Sequence, residues 1–146
     1  MRSLIAEQDA ATRARLGLHL RATGGVEVVG ECGDGFAAVG MWSTLRPELV
    51  VLDVALPELD GVEVLAAISD LPPARALLLG EPRGLEPYRR AGFAVLERPL
   101  DRDRLSAALE PVLAAPPDPR EALRERIQTV LDARGRERPH AERLVV

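Results

Sequence analysis

Short apolar runs alternate with longer amphipathic segments along the first 114 residues of the chain. The segments between the runs carry helical spacing in several places, as at Leu16 and Leu20. Strands that alternate with helices predict a parallel sheet covered on both faces, so we expect an α/β fold with a doubly wound, five-stranded sheet. The five predicted strands end at charged, glycine or proline residues and comprise residues 4–6, 26–29, 49–52, 76–79 and 94–96.

One segment fits two patterns. Leu16, Leu18 and Leu20 alternate with other residues as the positions of a half-buried strand do. The segment that contains them, residues 9–23, is long and rich in arginine and alanine, which favours a helix. We therefore predict a helix here.

A proline-rich linker follows residue 114 and divides the chain into a domain of residues 1–114 and a C-terminal segment of residues 115–146. Asp118 is placed to cap a helix, with Pro119 at its first position and Glu121 at its third, and Gly135 is placed to end it.

This C-terminal helix has an apolar stripe and no domain of its own in which to bury it. It must dock on the first domain, pair with a second copy or fray. Pairing would make the protein a homodimer, which is the state we expect. The stripe consists of Leu123, Ile127, Val130 and Leu131.

Composition excludes several kinds of chemistry. All nineteen basic residues are arginine, and without lysine neither a P-loop nor a Schiff-base mechanism is possible. The net charge of −4 and the four aromatic residues argue against a nucleic-acid-binding surface. The single cysteine, Cys32, excludes a disulfide framework and a multi-cysteine metal site.

No segment has the length and hydropathy of a membrane span. The longest uncharged run covers residues 35–45, which is too short to cross a bilayer, so we expect no membrane contact. The N-terminal segment meets an acid at Glu7 and does not have the pattern of a signal peptide. A cytoplasmic location is the default expectation.

Acidic residues follow two of the predicted strands. Glu7 comes directly after the first strand and Asp53 after the third. If these strands are neighbours in a parallel sheet, both carboxylates lie at the same edge, where ligands bind in such folds. Two carboxylates and a backbone carbonyl can hold Mg²⁺, and a carboxylate beside Mg²⁺ can accept a phosphoryl group. Alternatively, both acids are ordinary residues at solvent-exposed strand ends, and spacing alone does not decide between these interpretations.

Three motifs in residues 2–114 resemble the response-regulator receiver domains. Residues 47–61 have the sequence PELVVLDVALPELDG, which is similar to the phospho-acceptor segment of that family: an apolar strand, an Asp, then a Pro and an Asp-Gly. The pair Glu7-Gln8 precedes Arg13 much as an acid pair precedes an arginine in the family. Residues 97–100, with the sequence ERPL, resemble its Lys-Pro turn after the fifth strand.

This resemblance implies a (βα)₅ fold with strand order 2-1-3-4-5 and a role for each motif residue. Asp53 would be the phospho-acceptor, and a sensor histidine kinase the partner that supplies the phosphoryl group. Glu7, Asp53 and the Ala55 carbonyl would be the Mg²⁺ ligands, with Gln8 a weakened fourth. Arg98 would contact the phosphoryl group in place of the family's lysine.

Several positions depart from the family pattern. Gln8 replaces the second acid, which removes a charge from the metal site. The hydroxyl that usually ends the fourth strand corresponds to Leu79 or Gly80, and it is missing because no Ser or Thr occurs between residues 71 and 105. The resemblance implies Gly80 as a phosphoryl contact at this place. Val95 stands in the place of the usual aromatic residue. Two hypotheses remain: a receiver phosphorylated at Asp53 that controls a transcriptional output, or a degenerate pseudo-receiver that acts as a phosphorylation-independent interaction or dimerisation module.

Two further segments, residues 26–35 and 98–105, are similar to receivers that carry a LytTR-type DNA-binding domain. Residues 142–146 resemble the strand that opens such a domain. We therefore expect the chain to stop where an output domain would begin, with DNA contacted only through that domain.

An enzymatic function has less support. Haloacid-dehalogenase-like phosphatases also use an Asp at a strand end, but they need a second Asp two residues later, where this chain has Ala55. We expect no enzymatic activity.

Overall fold

The computed structural model describes residues 1–137. Five parallel strands form one sheet in the order β2-β1-β3-β4-β5, and helices cover both of its faces. In chain order the elements are β1 (Arg2–Ala6), α1 (Ala10–Ala22), β2 (Glu27–Cys32), α2 (Gly35–Leu45), β3 (Leu49–Asp53), α3 (Gly61–Ala67), β4 (Arg75–Gly80), α4 (Pro82–Ala91), β5 (Val95–Glu97), α5 (Arg102–Ala114) and α6 (Arg120–Glu137). The predicted fold class and strand order are confirmed.

The segment with alternating leucines is helical, as predicted. Leu16 and Leu20 are buried against the sheet, whereas Leu18 is 70% exposed. The alternation is therefore a coincidence within a helical period, in which positions four residues apart share a face.

Strand β3 is the centre of the fold, and every one of its residues is buried. Its side chains alternate between two apolar clusters. Val50 and Leu52 face the side covered by α2, α3, α4 and α6, and Leu49 and Val51 face the side covered by α1 and α5. This burial on both faces fixes the position of Asp53, the last residue of the strand.

Aspartate residues cap the N-termini of four helices near the C-terminal ends of the strands. Each carboxylate accepts a hydrogen bond from a backbone N–H in the first turn, which satisfies a donor that the helix leaves unpaired. The capping residues are Asp9 for α1, Asp34 for α2, Asp60 for α3 and Asp101 for α5. These caps order the loops that surround this edge of the sheet.

Helix α6 docks on the first domain, so docking is the outcome observed among the three considered from the sequence. It packs against α3 and α4, and its Ile127, Val130 and Ala133 are buried there. Ion pairs from Arg124 to Asp70 and from Arg134 to Asp60 flank this apolar contact.

The predicted details of α6 need correction. The helix begins at Arg120, and the Asp118 carboxylate lies 3.0 Å from Arg126 Nε and is not placed as its cap. Gly135 does not end the helix, which continues to Glu137. An interior glycine costs a helix only about 1 kcal/mol relative to alanine, which tertiary packing can offset. Leu131 is 41% exposed and lies outside the buried face.

The strand predicted at residues 142–146 lies outside the described residues. Within residues 1–137, no helix is both long and apolar enough to span a membrane.

Candidate functional site

The ends of β1 and β3 place two carboxylates side by side. Ala6 pairs with Leu52 in the parallel ladder, so Glu7 and Asp53 both follow at the same edge of the sheet. Glu7 is 0% exposed and Asp53 is 1% exposed. The predicted meeting of these two acids is therefore observed, and they are buried, unlike acids at solvent-exposed strand ends.

The Asp53 carboxylate has one satisfied oxygen and one unsatisfied oxygen. Its Oδ1 accepts a hydrogen bond from the Ala55 N–H at 2.9 Å. Its Oδ2 is buried and accepts no hydrogen bond, since Arg98 Nη2, at 3.3 Å, lies outside hydrogen-bond geometry. A buried carboxylate oxygen without a hydrogen-bond partner is costly, and at a sheet edge it marks a place where a ligand can bind.

Glu7 is held by contacts on both its backbone and its side chain. Its N–H donates to the Cys32 carbonyl at 3.0 Å, and its carbonyl accepts from Arg13 Nη1 at 2.7 Å. Its Oε2 accepts from the Asp9 N–H at 3.2 Å, and its Oε1 forms an ion pair with Arg98. Burial raises the pKa of Glu7, and the neighbouring Asp53 carboxylate adds to this increase.

Arg98 follows β5 and reaches across the edge of the sheet. Its backbone N–H donates to the Gly80 carbonyl at 2.9 Å, which extends the ladder between β4 and β5. Its Nη2 contacts both Glu7 and Asp53, and its side chain is mostly buried. The sequence placed Arg98 near Asp53, but it gave no sign that one guanidinium nitrogen would serve both carboxylates.

Gln8 and Ala55 meet at the solvent side of this site. The exposed Gln8 side chain donates from Nε2 to the Ala55 carbonyl at 3.3 Å. Gln8 and Ala55, which the sequence analysis named as metal ligands, therefore both lie at the site, and the Gln8 amide is hydrogen-bonded to the Ala55 carbonyl oxygen.

Gly80 ends β4 in a position without room for a side chain. A Cβ there would lie 2.9 Å from Val54 Cγ2 and 3.3 Å from Leu85 Cγ. Leu79 is buried in the cluster on the α1–α5 side of the sheet and points away from this space. Of the two positions considered for the family's hydroxyl, Gly80 is thus the one on the α4 side, and Val54 occupies the volume a side chain would need.

The loop after Asp53 is held against the start of α2. The Gly35 N–H donates to the Pro57 carbonyl at 2.9 Å. A Cβ on Gly35 would lie 2.0 Å from the Leu59 carbonyl oxygen, so this close approach requires glycine. No pattern in the sequence indicated this role for Gly35, because the close approach involves a segment that is distant along the chain.

Comparison with known proteins identifies the family. The family model described as "Response regulator receiver domain" matches residues 4–110. The chain belongs to the response-regulator receiver family.

Relatives of this receiver occur in several kinds of protein. It is 38% identical over 113 residues to the transcriptional regulatory protein PdtaR of Mycobacterium tuberculosis, a match that covers 75% of this chain and 55% of PdtaR. It is 30% identical over 89 residues to the chemotaxis protein CheY of Listeria monocytogenes, covering 58% of this chain and 75% of CheY. The chain thus spans about half the length of PdtaR.

Solved receiver structures share the fold. The signal receiver domain of the putative response regulator NarL from Mycobacterium tuberculosis aligns with a TM-score of 0.66 and 29% identity, covering 78% of this chain and 97% of that domain. CheY in a CheX–CheY–BeF₃–Mg complex from Borrelia burgdorferi aligns with a TM-score of 0.68 and 21% identity, covering 77% of this chain and 89% of that chain, which supports the fold alone.

The oxygen atoms at the site of this receiver suit a hard divalent cation. Two carboxylates and one backbone carbonyl are the ligand types that Mg²⁺ prefers, and one oxygen of the Asp53 carboxylate has no hydrogen-bond partner. Among the described residues, no three acidic, histidine or cysteine side chains cluster as a metal site. The Ala55 carbonyl and water would therefore have to complete the coordination.

Proposed function

We propose that this receiver accepts a phosphoryl group on Asp53 from a sensor histidine kinase. The buried Oδ2 of Asp53, which accepts no hydrogen bond, carries the proposal. In the proposed step, Oδ2 attacks the phosphorus, an O–P bond forms, and the N–P bond of the phosphohistidine breaks. The histidine nitrogen keeps the electron pair of the broken bond, and Asp53 becomes an acyl phosphate.

The neighbouring groups have distinct roles in this proposal. Arg98 would contact the phosphoryl oxygens, since a guanidinium can bind two oxygens at once. Glu7, Asp53 and the Ala55 carbonyl would hold Mg²⁺, with Gln8 as a weakened ligand. When bound, this cation would neutralise the charge of the incoming phosphoryl oxygens.

The proposal is tested by intact-mass measurement after incubation with Mg²⁺ and acetyl phosphate. We expect one added phosphoryl group on the natural chain and none on Asp53→Asn, a substitution that keeps the size of the side chain and removes the nucleophile. The same mass gain on Asp53→Asn would contradict Asp53 as the acceptor.

A second candidate function is that of a degenerate receiver which binds a partner without phosphorylation. Two observations favour it: Gln8 stands where an acid is usual, and Gly80 has neither a hydroxyl nor space for one. If the natural chain gains no mass under conditions that label another receiver in a parallel reaction, this second function is supported and the first is contradicted.

We propose that the receiver controls a transcriptional output, through a LytTR-type DNA-binding domain that would follow this chain. The relative PdtaR is named a transcriptional regulatory protein, and this chain covers 55% of its length. A cytoplasmic location fits this role. Duplex DNA that binds the full-length regulator but not this chain would support the proposal, whereas binding by this chain alone would contradict it.

We also propose that the chain forms a homodimer, although α6 offers less apolar surface for one than its sequence indicated. Ile127 and Val130, two residues of the apolar stripe, are buried against the chain's own domain. Sedimentation equilibrium is the test. A mass of about twice the 15.8 kDa of one chain supports the dimer, and a mass near 15.8 kDa contradicts it.

A further inference from the structure

One nitrogen of the Arg98 guanidinium contacts both buried carboxylates. Its Nη2 forms an ion pair with Glu7 Oε1 and lies 3.3 Å from Asp53 Oδ2. Glu7 and Asp53 are both inaccessible to solvent, so water screens this interaction poorly. One cationic group of the chain therefore already contacts the two carboxylates that would hold a metal ion.

The charges at the site do not leave room for both cations. Glu7, Asp53 and Arg98 together carry one net negative charge when all three are ionised. A divalent cation bound beside an unmoved Arg98 would give the buried site a net positive charge, which is costly in a poorly hydrated environment. A carboxylate in place of Gln8 would offset this charge, but Gln8 carries none.

Gln8 opposes metal binding in a second way. Its Nε2 donates to the Ala55 carbonyl at 3.3 Å, and this carbonyl is the third oxygen available to a metal ion. All three candidate ligands are thus in contact with, or bonded to, nitrogen groups of the same chain.

We propose that Arg98 is the resident cation of the free site and that Mg²⁺ binds only by displacing it. Arg98 is a positioning residue in this state, since it holds Glu7 and Asp53 together without a metal ion. This inference builds on the site given under the proposed function. A phosphoryl group that attracts Arg98 away from the carboxylates would free them, so Mg²⁺ and the phosphoryl group would each increase the affinity of the site for the other.

The test is the Mg²⁺ affinity of four forms of the full chain, measured by isothermal titration calorimetry at constant ionic strength. We expect Arg98→Gln to lower the Kd for Mg²⁺ by about tenfold or more, because it removes a positive charge next to the metal position. Gln8→Asp is expected to lower it as well. Arg104→Gln is the matched control, because the Arg104 side chain donates to the Pro99 carbonyl and contacts no carboxylate, and the backbone N–H that donates to Asp101 is unchanged by the substitution. A Kd for Arg98→Gln within about twofold of the natural value would overturn the proposal.

A second measurement covers the case in which Arg98→Gln does not fold. The Nε–H resonance of Arg98 in the natural chain, assigned by its loss in Arg98→Lys, is followed by NMR during a Mg²⁺ titration. We expect it to shift with the same midpoint as the Ala55 amide. A shift of the Ala55 amide without any change at Arg98 would contradict displacement.

These readouts are independent of phosphoryl transfer. If the natural chain takes no phosphoryl group but Arg98→Gln gains Mg²⁺ affinity, the resident-cation proposal stands and the proposed function fails. If Asp53 is phosphorylated and Arg98→Gln leaves the affinity unchanged, only the resident-cation proposal fails.

Discussion

The ionised form of Glu7 is unfavourable in the folded chain, so the stability of the chain depends on pH. Burial first, and the adjacent Asp53 carboxylate second, raise the pKa of Glu7 above its ordinary value of 4.5. The folded chain therefore binds the Glu7 proton more tightly than the unfolded chain does. The resulting contribution to stability is fully present below the unfolded pKa and is lost as the pH rises through the folded pKa.

We expect the free energy of unfolding of the natural chain to fall more steeply than that of Glu7→Gln over the pH range above the ordinary glutamate pKa of 4.5. Glu7→Gln keeps the shape of the side chain and cannot ionise. Urea denaturation in metal-free buffer across this range measures both. Equal slopes for the two proteins would show that Glu7 does not titrate in this way.

Gly80 provides a test of the packing beside Asp53. Gly80→Ala brings a Cβ to 2.9 Å from Val54 Cγ2, and we expect it to lower the free energy of unfolding by about 1–3 kcal/mol. Gly84→Ala, in the exposed first turns of α4, is the matched control, because its nearest atom, the same Val54 Cγ2, lies at 4.0 Å. We expect this control to be neutral or stabilising by up to about 1 kcal/mol. Equal losses of stability would rule out crowding at Val54 as the cause.

At the level of single residues, the sequence predicted which side chains lie close together but not which hydrogen bonds and ion pairs they form. The acids could be placed because each follows a strand, and strand ends converge in a parallel sheet. The contact of Arg98 with Glu7 depends on the conformation of a side chain that extends from the end of β5, past β4 and β3, to the end of β1. The packing of Val54 under Gly80 likewise depends on side chains that are distant in sequence.

Helix α6 shows what periodicity does and does not determine. The spacing of its apolar residues predicted a helix, but the surface that covers them is built from α3 and α4, which lie far away in sequence. Docking therefore could not be separated from pairing or fraying by the pattern alone. The same limit explains why Leu131 was placed on the buried face.

Substitutions in α6 measure how strongly docking stabilises the chain. Ile127 is 6% exposed, and we expect Ile127→Ala to lower the free energy of unfolding by about 2–5 kcal/mol. Leu131→Ala, on the same helix but 41% exposed, is expected to lower it by less than about 1 kcal/mol. Urea denaturation followed by circular dichroism measures both. Equal, small effects would mean that α6 is not part of the cooperative unit.

At the scale of the whole molecule, the alternation of apolar runs was sufficient to predict the α/β fold class. Each strand contains a short apolar run, and β3, apolar until Asp53, is buried on both faces at the centre of the sheet. Strand order required the family resemblance, because periodicity does not specify which strands are neighbours. The order in turn brings Glu7, Asp53 and Arg98 to one edge.

The assignment of the Asp53 carboxylate as the phosphoryl acceptor can be tested by the chemistry of the modified residue. Treating the phosphorylated chain with borohydride reduces an acyl phosphate to the alcohol, which converts the modified aspartate to homoserine. Tandem mass spectrometry of the digested chain then locates the homoserine. We expect it at position 53 and at no other aspartate. Homoserine at a different position, or none in a chain that has gained a phosphoryl group, would contradict the assignment of Asp53.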